Sequence, residues 1–250
     1  MPVRFVLIAP ARSGSTMTKA VLAAHPQIHM HGEAMGRNAA RSLQRTFLPV
    51  TVRYLGRDKF QAEMLLARAR DTRNFIASYL FAAGNEKRAA GFKLLLEQAF
   101  SLGFSDALSW LSGQPDLRIV WLERRNHLAR YVSSLLHSKN RKAAARNAQA
   151  VPETTTDVDP EQFQQAVKNL RATTAILRGF FVGHPSLDVA YEDLVRDPRA
   201  GYRGIFSFLD VDAGLEPSIE TTKGTTADLQ SIIANIGAIR DHAAIRPYLR

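Results

Sequence analysis

Short apolar runs alternate with longer amphipathic stretches along this chain. Residues 3–9, VRFVLIA, form a continuous apolar run of strand length. A helix beginning near Ser13 is predicted to end by His25–Pro26, because the residue before a proline is pushed out of the helical region. Residues 28–32 fit a short strand. The patterns at 36–47 and 57–83 are helical, with arginines on the polar face and Gly84 as a C-terminal cap. Residues 89–96, AAGFKLLL, read as a strand, and 101–112 as a helix that stops at Gly113 with Pro115 beyond. A strand over 118–125 ends in charge. Asn126 can cap the helix after it, which is expected to dissolve in the basic, alanine-rich tail 139–148. Residues 151–160 read as a loop. Asp159, Pro160 and Gln162 then make a helix N-terminus, with the helix running to about Arg178. A strand at 186–191 follows. Asp197–Pro198 opens a helix to Leu209, Lys223–Gly224 is a turn, and a last helix is expected from about Asp228 to Ala238.

Strands that alternate with helices imply parallel pairing with crossover helices, hence a three-layer α/β/α fold around a mainly parallel sheet. No internal repeat and no low-complexity linker interrupts the 250 residues, so the expectation is a single domain over 1–250. In such sheets ligands gather outside the carboxyl ends of the strands. The turn after residue 9 lies at one such end, and 123-ERRN-126 lies at another.

Composition narrows the chemistry. The chain has no cysteine, which excludes disulfides, thiolate metal sites and thiol catalysis within it. Its formal charge of +10 favours anionic partners. No apolar run reaches spanning length, so no integral membrane segment is expected, and the expected location is cytoplasmic. The basic tract 139–146 raises a nucleic-acid reading. It lacks interleaved aromatics, and no nucleic-acid partner is expected.

The turn itself is 9-APARSGSTMTKAV-21. Backbone N–H groups at a helix start are unpaired and carry the positive end of the helix dipole. Gly14 permits close backbone approach, Ser13, Ser15 and Thr16 add hydroxyls, and Arg12 adds a fixed charge. Together they suit a phosphate group. The pattern is not a Walker A loop: Ala9 stands at the first glycine position and Ser15 replaces the lysine. A metal-holding Asp at a strand end is also missing, since Glu123 is followed by two arginines. A metal-dependent kinase or nucleotide hydrolase is therefore the alternative, not the first reading.

These residues resemble the sulfotransferases that use 3′-phosphoadenosine 5′-phosphosulfate. The 5′-phosphosulfate loop of that family reads approximately P-[KR]-[ST]-G-[ST]-T, and residues 10–16 read P-A-R-S-G-S-T, one residue longer between proline and arginine. The family's 3′-phosphate element is a strand ending in Arg with a Ser eight residues on, as in Arg125 and Ser133 of 125-RNHLARYVS-133. The stretch 191-YEDLVRDP-198 is similar to one common in the bacterial and Golgi branches. The resemblance runs to about residue 209 and is nearest to the bacterial carbohydrate sulfotransferases, which include the nodulation-factor enzymes.

The resemblance implies a P-loop NTPase-like sulfotransferase fold and metal-independent, in-line transfer of a sulfuryl group to a hydroxyl of a small-molecule or glycan acceptor. It implies cofactor contacts from Arg12, Ser13, Gly14, Ser15 and Thr16, and from Arg125 and Ser133. Arg12 takes the place of the family's catalytic cation. Glu33, in 29-HMHGEAM-35, is the candidate general base, with a nearby histidine as the other option. On a regular strand His29, His31 and Glu33 would share one face, which also raises a metal site; none is expected. Lys93, in 91-GFKLLLEQ-98, is a candidate for holding sulfate or acceptor, or else a strand lysine with a buried stem, and His31 is a second acceptor candidate. Lys223 is a candidate for the 3′-phosphate. Met17 stands where cytosolic relatives often carry an adenine-stacking tryptophan, so the adenine partner is not assigned.

Overall fold

The continuous apolar runs form strands that are buried on both faces, as a parallel sheet requires. The computed structural model describes residues 2–35, 66–82, 86–100, 105–147, 149, 151–218 and 228–249. Among them, β1 (Val3–Ala9), β2 (Ile28–Glu33), β3 (Ala89–Leu95), β4 (Arg118–Glu123) and β5 (Ser186–Ala190) make one sheet in the order β2-β3-β1-β4-β5. Every pairing is parallel. The expected α/β fold with a parallel sheet is thus the observed one. β1 lies between β3 and β4, and the chain departs from it toward one side of the sheet before returning to the other. In parallel sheets such a reversal is where ligand sites form, at the carboxyl end of the strand, here β1.

The described contacts divide the chain into two compact units. One comprises Met1–Glu123 and Ile176–Thr221, the other Arg124–Ala175 and Thr222–Arg250. The first holds the sheet. Phe5, Leu7 and Ala9 share a cluster with Val21 and Leu22 of α1 (Ser15–Ala24) and with Tyr202, Ile205 and Phe206 further along the chain. Gly91 pairs with Phe5 across β1 and β3, and a Cβ there would meet the Phe5 ring at 2.6 Å. Glycine therefore lets that ring lie flat over the sheet. On the opposite face Phe92 meets Phe81, with ring centroids 5.9 Å apart.

The second unit packs Leu128, Val132, Phe163 and Val167 against Ile232, Ile233, Ile239 and Ile245. Its first helix, His127–Arg146, is capped by Asn126, whose side chain accepts from Ala129 N at 2.8 Å. The expectation that this helix dissolves after 138 is corrected: it continues to Arg146, since the 143-AAAR-146 tail is built from strong helix formers. The helix Pro160–Phe180 starts at Asp159. The Asp159 carboxylate accepts from Gln162 N and Glu161 N, and these bonds hold its carboxyl below the usual range.

Other boundaries moved for tertiary reasons. The helix expected over 228–238 is two short helices, Leu229–Ile232 and Ile236–Ile239. The backbone between them bonds instead to Thr156, through Thr156 N to Ile232 O and Ala234 N to Thr156 O, both 3.0 Å. Asn235 clamps Val158 from its N–H and its carbonyl. Two short helices absent from the periodicity reading sit at strand ends: α2 (Leu96–Ala99) after β3, and α3 (Tyr191–Arg196) after β5. The helix at 36–47, the cap at Gly84 and the turn at Lys223–Gly224 lie outside the described residues, as does the first part of the 57–83 helix. The later part is helical over 66–70, Thr72–Phe75 and, as a π-helix, Ile76–Phe81.

Candidate active site

The loop between β1 and α1 turns through two left-handed residues, Arg12 at φ 66° and Gly14 at φ 86°. Alternation of left- and right-handed residues turns successive N–H groups toward one side, the arrangement that makes an anion-binding nest. Ser13 is fully buried and its hydroxyl donates to Pro10 O at 2.7 Å, so its side chain closes the turn. Ser15 is buried at the first turn of α1, whereas Arg12 and Thr16 are exposed. The loop already holds an anionic group: the Glu97 carboxylate accepts from Ala11 N, at 3.1 Å and 3.2 Å for its two oxygens. A backbone that takes a carboxylate in this way fits phosphate or sulfate oxygens as well.

Side chains from β2, β3 and α2 converge beside this loop. Lys93, on β3, is 5% exposed and pairs with Glu33 of β2 at 2.9 Å. The same ammonium lies 3.5 Å from Thr16 Oγ1 on the first turn of α1. Gln98, on α2, donates to the other Glu33 oxygen at 3.2 Å and accepts from Leu95 N at 3.4 Å. Glu33 is thus fixed at both oxygens, while about a third of its side chain, 36%, faces solvent.

This convergence depends on a register shift that the sequence does not announce. His31 pairs with Phe92, but Glu33, not Gly32, pairs with Lys93, because β2 carries a bulge between His31 and Glu33. The extra residue moves Glu33 to the other face of the sheet. The expectation that His29, His31 and Glu33 share one face is therefore corrected. Glu33 joins Lys93 on the face of α1, and the two histidines stay behind with Phe92.

There the histidines form a buried pair. His31 Nε2 is 3.1 Å from Leu80 O and 3.1 Å from His29 Nε2, with the rings edge to face at 4.5 Å. A carbonyl only accepts, so the contact with Leu80 O puts the His31 proton on Nε2. Burial, with the His29 charge as the next cause, pushes His31 down to about 3, and burial lowers His29 as well. His31 is fully buried and neutral near pH 7, on the face away from Lys93 and Glu33.

The 191-YEDLVRDP-198 stretch acquires a place in the site. A Cβ built on Gly14 would lie 2.2 Å from Tyr191 Cδ2, so the tyrosine ring rests directly on the loop glycine. Tyr191 opens α3 at the carboxyl end of β5, and Asp197 caps the next helix, α4 (Pro198–Phe208), by accepting from Ala200 N at 3.0 Å. The sequence supplied this motif by pattern alone, without a contact for its tyrosine. Glu97 and the role of Gln98 were legible only in their position just beyond a strand end.

In the second unit, Arg125 is exposed and immediately precedes the Asn126 cap, and Ser133 is half-buried on the helix that follows. Met17 packs against the sheet cluster of the first unit. Lys223 lies outside the described residues. Among the described residues, no group of three or more His, Asp or Glu side chains is placed to hold a metal ion, and no helix is long and apolar enough to cross a membrane.

Comparison with known proteins completes the picture. A sequence profile described as "Sulfotransferase family" matches residues 4–215. Among solved structures, the chain is similar to the sulfotransferase domain from the curacin biosynthetic pathway. That similarity has a TM-score of 0.54 at 17% identity, over 91% of this chain and 81% of that one. It is also similar to a sulfotransferase from Alicyclobacillus acidocaldarius, with a TM-score of 0.50 at 17% identity, over 100% of this chain and 96% of that one. At such identities the structures speak for the fold. A comparison with curated proteins gives no match. The profile spans most of the sheet-bearing unit and includes the loop, Glu33, Lys93 and Tyr191, and on that match the chain belongs to the sulfotransferase family.

Proposed function

We propose that this protein moves a sulfuryl group from 3′-phosphoadenosine 5′-phosphosulfate to a hydroxyl of a small-molecule or glycan acceptor, without a metal ion, in a cytoplasmic setting. The observation that carries the reading is the chain Glu33–Lys93–Thr16. A carboxylate, a buried ammonium and a helix-start hydroxyl lie on one sheet face beside a loop that already holds an anion.

The proposed roles draw on that placement and on the family resemblance. The amides of the Arg12–Thr16 loop, with the Ser15 and Thr16 hydroxyls, bind the 5′-phosphate. Arg12 stabilises negative charge on the phosphate oxygen as the S–O bond to it breaks. Glu33 takes the proton of the acceptor hydroxyl as the new O–S bond forms, and Gln98 leaves it one orientation in which to do so. Lys93 holds Glu33 toward the loop and presents a cation between base and donor. Arg125 and Ser133 bind the 3′-phosphate: a planar guanidinium fork and a hydroxyl two helical turns along the next helix. Lys223 is proposed as a further 3′-phosphate contact. His31 is buried on the opposite sheet face, which argues against a direct acceptor contact.

Thermal unfolding with added nucleotides tests the donor class. Adenosine 3′,5′-bisphosphate should raise the midpoint without magnesium, and Arg125→Ala should remove most of that gain. ADP with magnesium stabilising more strongly would point to a phosphoryl-transfer enzyme. Transfer from sulfur-labelled donor to an acceptor panel tests the base: Glu33→Gln should cut turnover about 100-fold or more and leave bisphosphate affinity unchanged. Wild-type turnover in that variant removes Glu33 from its role.

A further inference from the structure

We propose that the short helix α2, at the carboxyl end of β3, is a two-armed positioning element: Glu97 holds the anion loop in its strained form, and Gln98 holds the proposed base. The proposal rests on the functional reading above for its kinetic consequences, but its structural half stands without it.

Arg12 is not a glycine, yet it sits at φ 66°, where the Cβ crowds the following carbonyl. Such a residue persists only when its surroundings over-determine it. Two contacts do so. On one side Ser13 Oγ donates to Pro10 O at 2.7 Å and closes the turn. On the other, both oxygens of Glu97 share Ala11 N–H, the opposite edge of the same Pro10–Ala11 peptide group, one residue before Arg12. Held at both edges, the Pro10–Ala11 peptide plane enters the left-handed turn at Arg12 in one orientation.

Gln98 is next to Glu97 and reaches the other way. Its carbonyl oxygen accepts from Leu95 N, which orients the amide so that Nε2 donates to Glu33. One turn of helix, Leu96–Ala99, thereby fixes both the loop of the proposed leaving-group cation and the proposed base. In-line transfer depends on that separation, and small misplacements are costly in rate. Neither residue needs to touch the transferred group.

The test compares Glu97→Ala, Glu97→Gln and Gln98→Ala. Amide hydrogen exchange over residues 10–16 should rise about tenfold in Glu97→Ala and return toward wild type in Glu97→Gln, whose amide oxygen still accepts from Ala11 N. In sulfuryl transfer, Glu97→Ala and Gln98→Ala should each lower kcat about tenfold while KM for the donor changes less than threefold. Glu97→Gln should recover most of the rate. Unchanged exchange in Glu97→Ala overturns the loop arm, whatever reaction the enzyme carries out. Tighter bisphosphate binding and faster turnover in that variant would make Glu97 a competitor for the loop and also overturn it. Glu97→Gln behaving like Glu97→Ala would show that charge matters and not the hydrogen bond. Unchanged kcat in Gln98→Ala, with wild-type transfer intact, removes the second arm. Absence of transfer by the wild type, with the exchange result as expected, instead refutes the functional reading.

Discussion

Replacing Gly14 by alanine probes the contact between the loop after β1 and Tyr191. Two costs arise from one added methyl group. Gly14 sits at φ 86°, a conformation that costs an L-residue about 1–2 kcal/mol. The new Cβ would also stand 2.2 Å from Tyr191 Cδ2 and 2.7 Å from Cε2, well inside contact distance. Tyr191 is half-buried against the sheet cluster, so its ring can move aside only by losing packing, an overpacking cost of about 1–3 kcal/mol. The sum is about 2–5 kcal/mol. For a chain of this size each kcal/mol lowers the midpoint by about 2–4 °C, so a loss of about 3 kcal/mol corresponds to about 6–12 °C. A double-mutant cycle separates the two parts. In a Tyr191→Ala background the steric part vanishes and the backbone part remains, so the coupling should be about 1–3 kcal/mol, favouring the double variant. Urea unfolding of the four proteins measures it. A Gly14→Ala protein with the wild-type midpoint, or a coupling near zero, would refute the placement of the tyrosine ring on the loop.

Two further predictions follow from the site's electrostatics. His31 is held at about 3 when folded and has an ordinary value of 6.5 when unfolded, so below pH 6.5 the unfolded chain takes up a proton that the folded one refuses. Its contribution to stability is complete above pH 6.5 and is lost as pH falls toward 3, with a slope of up to about 1.4 kcal/mol per pH unit. Urea midpoints at pH 7 and pH 5 should show this, and His31→Gln should flatten the slope; an unchanged slope would place the titration elsewhere. Lys93→Met should separate stability from activity. Methionine refills the apolar path of the lysine stem, and Glu33 is open enough to water to be solvated, so unfolding should shift by no more than about 1 kcal/mol. Sulfuryl transfer should fall at least about tenfold, because Glu33 loses its link to Thr16; equal rates would remove Lys93 from the site.

Local chemistry made some elements legible before any coordinates. The runs at 3–9, 89–96 and 118–125 appear as the strands Val3–Ala9, Ala89–Leu95 and Arg118–Glu123 because burial on both faces leaves no polar alternation to misread. Asn126, Asp159 and Asp197 cap helices as expected, since a capping side chain bonds to backbone within three residues of itself. The 228–238 segment was misread because its backbone partner, Thr156, is far away in sequence. The short helix after β3 has no counterpart in the sequence pattern, because a four-residue helix shows no periodicity.

The sequence by itself determined the parallel α/β architecture and the family to which its motifs belong, and it marked the loop after β1 as the candidate phosphate cradle, because each depends on residues adjacent in the chain. Tertiary structure alone decided which face Glu33 occupies. A one-residue bulge reverses the side-chain direction without any change in composition, and only the pairing of β2 with β3 exposes it. The same holds for Tyr191 on Gly14 and for Glu97 on Ala11, whose partners lie 177 and 86 positions away along the chain. Contacts of that range are set by how strands stack in a sheet, and no local pattern encodes the stacking order.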